Sequence, residues 1–374
     1  MIQLLIDDEI FIYQRFGGVS RIFSELLKRL PKENKIRLHF TSTYSENEYL
    51  NALHQTVLPP FLKSYSFPLK GKMVRAILKW INHRRVNHLL KSGSIHVFHP
   101  SFYEDYYMKA LDHLPIHLVF TVHDLIHEKF PTNLSDRNMA AKKAANIARA
   151  NRIIVVSEHT KKDLLAQYSS VNPEIIEVIP LAHSLPSYSE PISGLPNTYI
   201  LFVGERAGYK NFNQLIGAFE KISIEFPDIH LFCAGSRPFS SAEMELINKA
   251  NLKGRIKQQA LNEYQLKFAY ENALFFVFPS LYEGFGIPIV EAFASQTPVL
   301  ISNRSSLPEV AGNAALQFDP EIENDLCKQM KLLINDVNLR AELVNLGNAR
   351  VKDFSWEKHY AKTLAVYYSL ITAN

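Results

Sequence analysis

Short apolar runs alternate with longer amphipathic patterns along the whole chain. The first half carries the runs IRLHF, IHVFH, IHLVFTV, RIIVV and IIEVI, and helical patterns such as VSRIFSELLKRL and RNMAAKKAANIARA lie between several of them. Such alternation is typical of a parallel sheet that is covered by helices on both faces. The pattern therefore predicts an α/β fold whose ligand sites lie at the carboxyl ends of the strands.

A second series of apolar runs follows a segment rich in proline and serine. Residues 182–198 (AHSLPSYSEPISGLPNT) precede YILFVG, HLFCAG, ALFFVFP and PVLIS, which again alternate with helical patterns. A chain of 374 residues is long enough for two domains of ordinary size. We therefore expect two Rossmann-like domains, 1–183 and 184–355, that face a deep cleft. The amphipathic pattern of residues 356–374 predicts a final helix.

Composition indicates a globular protein without a membrane span. The chain is 47% hydrophobic and 21% charged, and no apolar run approaches the ~18–20 residues that a span needs. The start MIQLLIDDE reaches acidic residues too early for a secretory signal. Two cysteines, Cys233 and Cys327, make neither a disulfide framework nor a metal-ligand pattern. We predict a cytoplasmic location and no metal or other cofactor.

The formal net charge of +4 has a local origin. Residues 51–103 contain eight Lys or Arg and no Asp or Glu, and the basic segment 63–91 includes a predicted helix. The apolar stripe predicted for this helix consists of Val74, Ile77, Leu78, Ile81, Leu89 and Leu90. The helix can lie on an anionic membrane surface, or it can pack in its domain with a solvated basic face. No nucleic-acid partner is expected, because no aromatic platforms accompany these charges.

Two glycine-containing loops follow predicted strands. Gly17 and Gly18 precede a helix that is expected to start near Val19, so the helix N-terminus can bind an anion; a tight turn is the simpler interpretation. In the second domain, YILFVG is followed by a loop that carries Arg206 and Lys210. Two cations at a strand–helix junction suit a diphosphate, although they can also be ordinary surface charges.

The stretch PSLYEGFGIPIVEAFA places two glutamates around a glycine loop. Glu283, Gly284, Phe285 and Gly286 follow the buried run ALFFVF, and the next helix is predicted as PIVEAFAS, with Pro288 in its first turn. The glycines let backbone amides converge on an oxygen-rich ligand at the helix N-terminus. Favourable interaction with the helix dipole would explain the position of Glu291. It would not explain the position of Glu283 within a glycine loop.

Polar side chains also follow two strands of the first domain. His123 and Asp124 come directly after IHLVFTV, and a histidine there can donate to sugar hydroxyls or cap the strand end. His99 ends the earlier run IHVFH, and Tyr103 follows it. We expect Asp124, His99 and Tyr103 on the acceptor side, with the aromatic ring available for stacking, although a packed loop is an equal alternative for the latter two.

These segments together resemble the retaining nucleotide-sugar glycosyltransferases of family 4. The spacing Glu283-x7-Glu291 carries the resemblance, and similar motifs cover nearly the whole chain. They are QRFGGVSRIFSELL, TVHDLIHEKFP, VSEHTKKDL, PSLYEGFGIPIVEAFA and SSLPEVAGNAALQFDP. The resemblance implies the GT-B fold, with a C-terminal helix that crosses back to the N-terminal domain.

The resemblance also implies roles for particular residues. Catalysis is assigned to His123, which lies beside the donor sugar, and to Glu283, which holds that sugar. Glu291 is assigned to the ribose. The remaining donor-binding residues are Gly17, Gly18, Arg206, Lys210, Gly284, Phe285, Gly286 and Ile287. The chain departs from many relatives at Tyr209, where they have arginine, and at Gln296, where they have glycine.

The predicted activity is transfer of a hexose from a UDP-glucose or GDP-mannose type donor to a saccharide or lipid-linked saccharide. The reaction is expected to retain the anomeric configuration by same-face attack, with the diphosphate as leaving group and without a metal. Two alternatives stay open. An NAD-type oxidoreductase is disfavoured because G-x-G-x-x-G is absent, and a non-catalytic nucleotide-sugar-binding protein is disfavoured by the intact acidic and basic motif residues.

Overall fold

The chain folds into two compact α/β units. One comprises Met1–Pro180 together with Trp356–Asn374, and the other comprises Leu181–Ser355. The computed structural model describes residues 1–42, 45–56, 72–206, 208–235 and 237–371. Residues 63–71 of the predicted basic segment therefore lie outside the described residues.

The first unit is built on a six-stranded parallel sheet with the order β2-β1-β3-β4-β5-β6. The predicted apolar runs form its strands, because both faces of a parallel sheet are covered and apolar side chains are needed on each. The strands are β1 (Ile2–Asp7), β2 (Ile36–Thr41), β3 (Val97–His99), β4 (His117–Val122), β5 (Arg152–Val155) and β6 (Ile176–Val178).

Nine α-helices belong to the described part of the first unit. They are α1 (Glu9–Tyr13), α2 (Gly18–Arg29), α3 (Glu48–Thr56), α4 (Lys72–Lys91), α5 (Met108–Leu111), α6 (Ile126–Lys129), α7 (Leu134–Arg149), α8 (Glu158–Gln167) and α16 (Trp356–Ser369). Helices α7 and α8 both begin at side-chain caps. The side chains of Asn133 and Ser157 accept hydrogen bonds from the amides of Asp136 and Thr160, respectively.

The basic helix α4 buries only part of the predicted apolar stripe. Val86 and Leu90 are fully buried, whereas Ile77 is 52% exposed. Lys79 points inward, where its ammonium lies 2.8 Å from Glu104 and 3.2 Å from Glu9. The predicted stripe therefore has a packed residue at Leu90 and an exposed one at Ile77, while Lys79 turns toward the buried carboxylates that follow β1 and β3.

Helix α16 completes the core of the first unit. Val366, Tyr367 and Leu370 are buried in the same apolar cluster as residues of β1 and α2. The Tyr367 hydroxyl lies 2.7 Å from Nδ1 of His99, and Nδ1 of His359 lies 3.0 Å from the carbonyl oxygen of Pro180. Residues that follow the second unit in sequence thus belong to the first unit's core.

Replacing His99 by glutamine should make the unfolding free energy less sensitive to acid. Burial, followed by the charges of His123 and His359, lowers the pKa of His99 to about 3, whereas an unfolded histidine titrates near about 6.5. Between these values the unfolded chain binds a proton that the folded unit excludes, so this residue's contribution to stability falls as the pH falls.

Urea unfolding of both proteins at about pH 6 and about pH 5 measures this effect. The wild type should lose about 1 kcal/mol more than His99→Gln over that interval. Comparing the two proteins cancels the other titrating groups that they share. A difference between them that does not change with pH would contradict the prediction.

The second unit contains another six-stranded parallel sheet, with the order β12-β11-β10-β7-β8-β9. Its strands are β7 (Tyr199–Val203), β8 (His230–Ala234), β9 (Ile256–Gln259), β10 (Phe275–Phe278), β11 (Val299–Ser302) and β12 (Leu316–Phe318). The sequence pattern predicted the four central strands but not β9 and β12. These two are the outermost strands, and their partly exposed side chains (Lys257 and Gln317 among them) break the apolar run.

Seven α-helices cover this sheet within the described residues. They are α9 (Phe212–Glu225), α10 (Ser241–Lys249), α11 (Glu263–Glu271), α12 (Ile287–Ala294), α13 (Leu307–Ala311), α14 (Asp325–Asn335) and α15 (Val337–Arg350). Buried residues of α9, α10, α14 and α15 form one apolar cluster with the strands. Across the described ranges of both units, no helix combines the length and the apolar character that a bilayer crossing requires.

Candidate functional site

The loops after β7 and β10 meet at the carboxyl edge of the second sheet. These strands are neighbours in the sheet, although β8 and β9 separate them in sequence. The chain leaves β7 toward one side of the sheet and β10 toward the other, which makes this a topological switch point, the usual ligand site of an open α/β sheet. The amide of Leu281 donates to the carbonyl oxygen of Tyr209 over 2.7 Å and joins the two loops.

Lys210 and Glu283 form an ion pair across this junction. The Lys210 ammonium lies 2.6 Å from Oε1 of Glu283, and the two side chains are 15% and 12% exposed. The same ammonium lies 5.2 Å from the ring centroid of Tyr209 and 5.4 Å from that of Phe278. The fold therefore brings together a cation and a carboxylate that are 73 residues apart in sequence.

Two serines after β11 hold the backbone of the Glu283 loop. The hydroxyls of Ser305 and Ser306 donate to the carbonyl oxygen of Glu283 over 2.6 and 2.9 Å. Ser306 also donates to the carbonyl oxygen of Phe285, and the Glu283 amide donates to Ser305. Sequence reasoning assigned these serines no role, although SSLPEV was among the motifs, because nothing in the pattern shows that β11 lies beside β10.

The glycine loop ends where helix α12 begins. Gly286 has φ +105°, and a Cβ there would lie 3.1 Å from Leu307 and 3.2 Å from Ile289, so both backbone and space favour glycine. Pro288 lies in the first turn of helix α12, as predicted, and the helix starts at Ile287, one residue before the predicted segment PIVEAFAS. Phe285 is buried and packs edge-on against Phe354. The segment Gly284–Ile287, whose amides can bind an anion, therefore directly follows Glu283, the acidic member of the ion pair.

Glu291 is buried in the second turn of α12. It is 5% exposed, and the hydroxyl of Tyr270 donates to its Oε2 over 3.2 Å. Tyr270 comes from α11, so the carboxylate is held between two helices. The two glutamates of the motif thus lie in different surroundings: one is paired with a lysine and the other accepts from a tyrosine.

Arg206 is engaged away from the Lys210–Glu283 pair. Its side chain is 5% exposed and its Nε lies 2.6 Å from Glu243. One terminal nitrogen donates to the carbonyl oxygens of Arg237 and Pro238 over 2.8 and 2.9 Å. The guanidinium also lies 4.8 Å from the ring centroid of Phe239. Arg206 therefore contacts the loop between β8 and α10 in this structure, and its predicted diphosphate contact stays a prediction.

Replacing Arg206 by methionine should lower stability more than turnover. The substitution leaves the Glu243 carboxylate, which is only 16% exposed, without the Nε that lies 2.6 Å from it, and this typically costs about 1–3 kcal/mol. Glu243→Gln should shift the unfolding midpoint of the second unit in the same direction but by less. Denaturant unfolding and steady-state kinetics measure the two effects of Arg206→Met. A hundredfold fall in kcat at unchanged stability would contradict this prediction and would show that Arg206 contacts the diphosphate.

His123 lies at the end of β4 in the first unit. It is 7% exposed, its amide donates to the Tyr103 hydroxyl over 2.9 Å, and its Nδ1 has no hydrogen-bond partner among the described residues. Burial lowers the pKa of His123 to about 4; Asp124 opposes this shift, and the charges of Lys143 and His359 add to it. The imidazole is therefore neutral near neutral pH, so it can hydrogen-bond without carrying charge.

The structure places His99 and Tyr103 in the core, not on an open acceptor surface. His99 is 1% exposed, and its Nε2 lies 2.8 Å from Thr121. Tyr103 is 2% exposed, and the Lys143 ammonium lies 4.7 Å from its ring centroid. Stacking of Tyr103 on an acceptor sugar is thus contradicted by its burial. Asp124 is partly exposed and accepts from the amide of Ile126 over 2.9 Å, which shapes the turn after His123.

The N-terminus of helix α2 is occupied by a side chain of its own unit. The helix begins at Gly18, after Gly17, and Oε1 of Gln14 accepts from the amide of Ser20 over 3.1 Å. A Cβ on Gly17 would lie 2.2 Å from that oxygen. The predicted anion site at Gly17 and Gly18 is therefore available only to a ligand that displaces the Gln14 amide.

Candidate metal ligands do not gather in the parts of the chain that the structure describes. No group of three or more His, Cys, Asp or Glu side chains has an arrangement suited to a metal ion there. Cys233 and Cys327 are both free and buried in the second unit.

Comparison with known proteins matches both halves of the chain. A family model described as Glycosyltransferase Family 4 matches residues 16–183, and one described as Glycosyl transferases group 1 matches residues 191–350. The O-antigen chain mannosyltransferase B of Escherichia coli is 25% identical over 373 residues, which cover 94% of this chain and 95% of that protein.

Two solved structures share the fold over nearly the whole chain. A sucrose-phosphate synthase from Thermosynechococcus elongatus has a TM-score of 0.76 at 18% identity and covers 100% of both chains. Anabaena Alr3699/HepE, in complex with UDP and glucose, has a TM-score of 0.72 at 16% identity and covers 98% of this chain and 100% of its own. These likenesses confirm the predicted GT-B type of α/β fold.

Proposed function

The chain belongs to glycosyltransferase family 4 and is a hexosyltransferase, and from this premise we propose that it transfers a hexose from a nucleotide sugar to a saccharide or lipid-linked saccharide. The observation that carries the proposal is the Lys210–Glu283 pair at the switch point of the second sheet. A diphosphate needs a cation and amides, and a sugar needs a carboxylate that accepts from its hydroxyls. The cation, the amides and the carboxylate all lie at the carboxyl edge of the second sheet.

We propose the following division of labour for the donor. Lys210 and the amides of Gly284–Ile287 bind the diphosphate, because the N-terminus of α12 adds its dipole to the lysine charge. Glu283 accepts from hydroxyls of the transferred sugar, and buried Glu291 accepts from the ribose. The relative named as a mannosyltransferase supports a GDP-mannose type donor, whereas the structural neighbour that holds UDP supports a UDP-glucose type.

Transfer breaks the bond between the anomeric carbon and the phosphate oxygen. Negative charge then grows on the leaving diphosphate, and prearranged positive groups at that position stabilise the transition state. The acceptor hydroxyl is proposed to attack from the face that the phosphate leaves, and its proton passes to the departing phosphate, so the configuration is retained. His123, whose neutral imidazole follows β4, is proposed to donate to a hydroxyl of the reacting sugar.

A screen of nucleotide sugars with the purified protein tests the proposal. Slow hydrolysis of one donor without acceptor is expected, at a rate that EDTA does not change, because Lys210 and the amides supply the positive charge. Proton NMR of the first product formed should show the donor's anomeric configuration. A strict requirement for manganese, an inverted product, or hydrolysis of none of the donors would each contradict the corresponding part of the proposal.

We also propose that helix α4 contacts an anionic membrane surface, which suits a lipid-linked acceptor. Ile77 and Trp80 are 52% and 54% exposed, and the guanidinium of Arg84 lies 4.2 Å from the Trp80 ring centroid. Spacing at i, i+3 and i+7 puts these three residues on one face. Exposed apolar side chains next to arginines are typical of helices that lie in a membrane interface.

Arg84→Glu with Arg85→Glu should weaken pelleting with phosphatidylserine-containing vesicles by about tenfold or more. Each basic residue near an anionic surface contributes about 1 kcal/mol, and both arginines are exposed. Lys79 is left unchanged because it is paired inside the unit. The control is the variant Lys253→Glu with Lys328→Glu, which has the same change in charge. Both of these lysines are exposed residues of the second unit. Equal vesicle binding by the two variants would contradict the role of α4.

A further inference from the structure

Glu283 and Lys210 neutralise each other in this structure. The carboxylate and ammonium are 2.6 Å apart in a largely buried setting, where the Lys210 side chain is 15% exposed. A diphosphate that binds Lys210 must therefore come close to a carboxylate that already holds the same cation. Two anions that share one cation repel each other, and this repulsion is stronger where water is mostly excluded.

An intact donor offsets this repulsion, but a spent nucleotide does not. When the sugar is present, its hydroxyls donate to the Glu283 carboxylate, so the carboxylate gains partners while it shares Lys210 with the phosphates. After transfer the sugar is gone, and the released diphosphate faces the same carboxylate with additional negative charge and no hydroxyls to satisfy it. The serine contacts to the Glu283 backbone hold this residue in place in either case.

We infer that Glu283 competes with the product diphosphate for Lys210, and thereby makes the enzyme prefer an intact nucleotide sugar over the spent nucleoside diphosphate. This inference rests on the proposed function and adds a role to Glu283 beyond sugar contact. Reformation of the 2.6 Å ion pair accompanies release of the nucleotide. Glu291 differs, because its partner in this structure is the Tyr270 hydroxyl and its proposed ligand, the ribose, is present in donor and product alike.

Calorimetry with GDP, UDP, GDP-mannose and UDP-glucose tests the inference on the full-length protein without acceptor. Glu283→Gln keeps the size of the side chain and removes its charge, and Glu283→Ala removes the group altogether. Both variants should bind the nucleoside diphosphate about tenfold or more tightly than the wild type, and the intact donor no more tightly. The ratio of the two affinities therefore shifts toward the product, which loss of structure alone would not cause.

Glu291→Gln is the matched control, because it should weaken donor and product to a similar extent and leave their ratio within about twofold of the wild type. If the wild type binds both ligands but neither Glu283 variant binds the diphosphate more tightly, the inference is wrong and the proposed function stands. If the wild type binds none of the four nucleotides, the proposed function fails and the inference fails with it.

Discussion

Lys210→Ala is expected to lower kcat by about 10²–10³-fold. The Lys210 ammonium is the cation that the second unit places at the switch point, next to Glu283 and before the N-terminus of α12. Arg206, the other predicted cation, is held by Glu243 and by two carbonyl oxygens. Removing Lys210 therefore takes away most of the side-chain charge that opposes the growing negative charge on the leaving diphosphate.

Single-turnover transfer with the donor found by the nucleotide-sugar screen measures this effect on the chemical step. Lys253→Ala serves as the control, because Lys253 is an exposed lysine of the same unit. It should keep kcat within about twofold of the wild type, as surface substitutions usually do. A Lys210→Ala enzyme that turns over within about threefold of the wild type would show that the diphosphate is stabilised by other groups.

Lys143→Met is expected to lower the unfolding free energy of the first unit by about 3–5 kcal/mol. The Lys143 side chain is completely buried, and its ammonium lies 2.8 Å from Oε2 of Glu128 and 2.9 Å from the carbonyl oxygen of Asp124. Methionine fills a similar volume but leaves the Glu128 carboxylate, itself only 4% exposed, without its cation. An uncompensated buried charge is among the largest single-residue penalties.

Chemical unfolding of Lys143→Met, Glu128→Gln and the double variant separates the ion pair from packing. The double variant should lose less unfolding free energy than the sum of the two single losses, because it leaves no buried charge without a partner. Arg137→Met, an exposed residue of the same helix α7, should change stability by less than about 0.5 kcal/mol. A loss below about 1 kcal/mol for Lys143→Met would show that water reaches Glu128 and replaces the lysine.

The Lys143 contacts also bear on the site in the first unit. The ammonium fixes the carbonyl of Asp124, the residue that follows His123, and the Tyr103 hydroxyl accepts from the His123 amide. Both hydrogen bonds are to backbone atoms of the turn, and the Tyr103 ring also lies 5.9 Å from the His123 ring, measured between centroids. Tyr103 therefore matters to His123 through position, which is a different role from the acceptor stacking expected from the sequence.

Much of the fold follows from local patterns. Central strands of a parallel sheet need apolar side chains on both faces, so runs such as YILFV and FFVF are visible without any partner. Outer strands such as β9 and β12 are half-solvated, and their polar residues make them look like loops. The helix start near Ile287 was equally visible, because glycine and proline act through their own backbone geometry.

Side-chain orientation was harder to predict. The basic helix α4 has polar residues on more than one face, so its periodicity does not tell which face meets the unit; Lys79 turns inward because Glu9 and Glu104 are buried there. His99 ends a strand, and Tyr103 and Arg206 each follow one, as a ligand-binding residue would. Their burial depends on Tyr367, Lys143 and Glu243, which lie far away in sequence.

The sequence by itself determined that this chain has alternating strands and helices, that Lys210 and Glu283 follow two buried strands, and that a glycine loop leads into the helix of Glu291. These features depend on residues near one another along the chain. Only the tertiary structure decided that β7 and β10 are neighbours, so that Lys210 and Glu283 form an ion pair, and that Arg206 turns to another loop. The physical reason is that a charged side chain takes the partner that burial brings within reach, and strand order sets which partners those are.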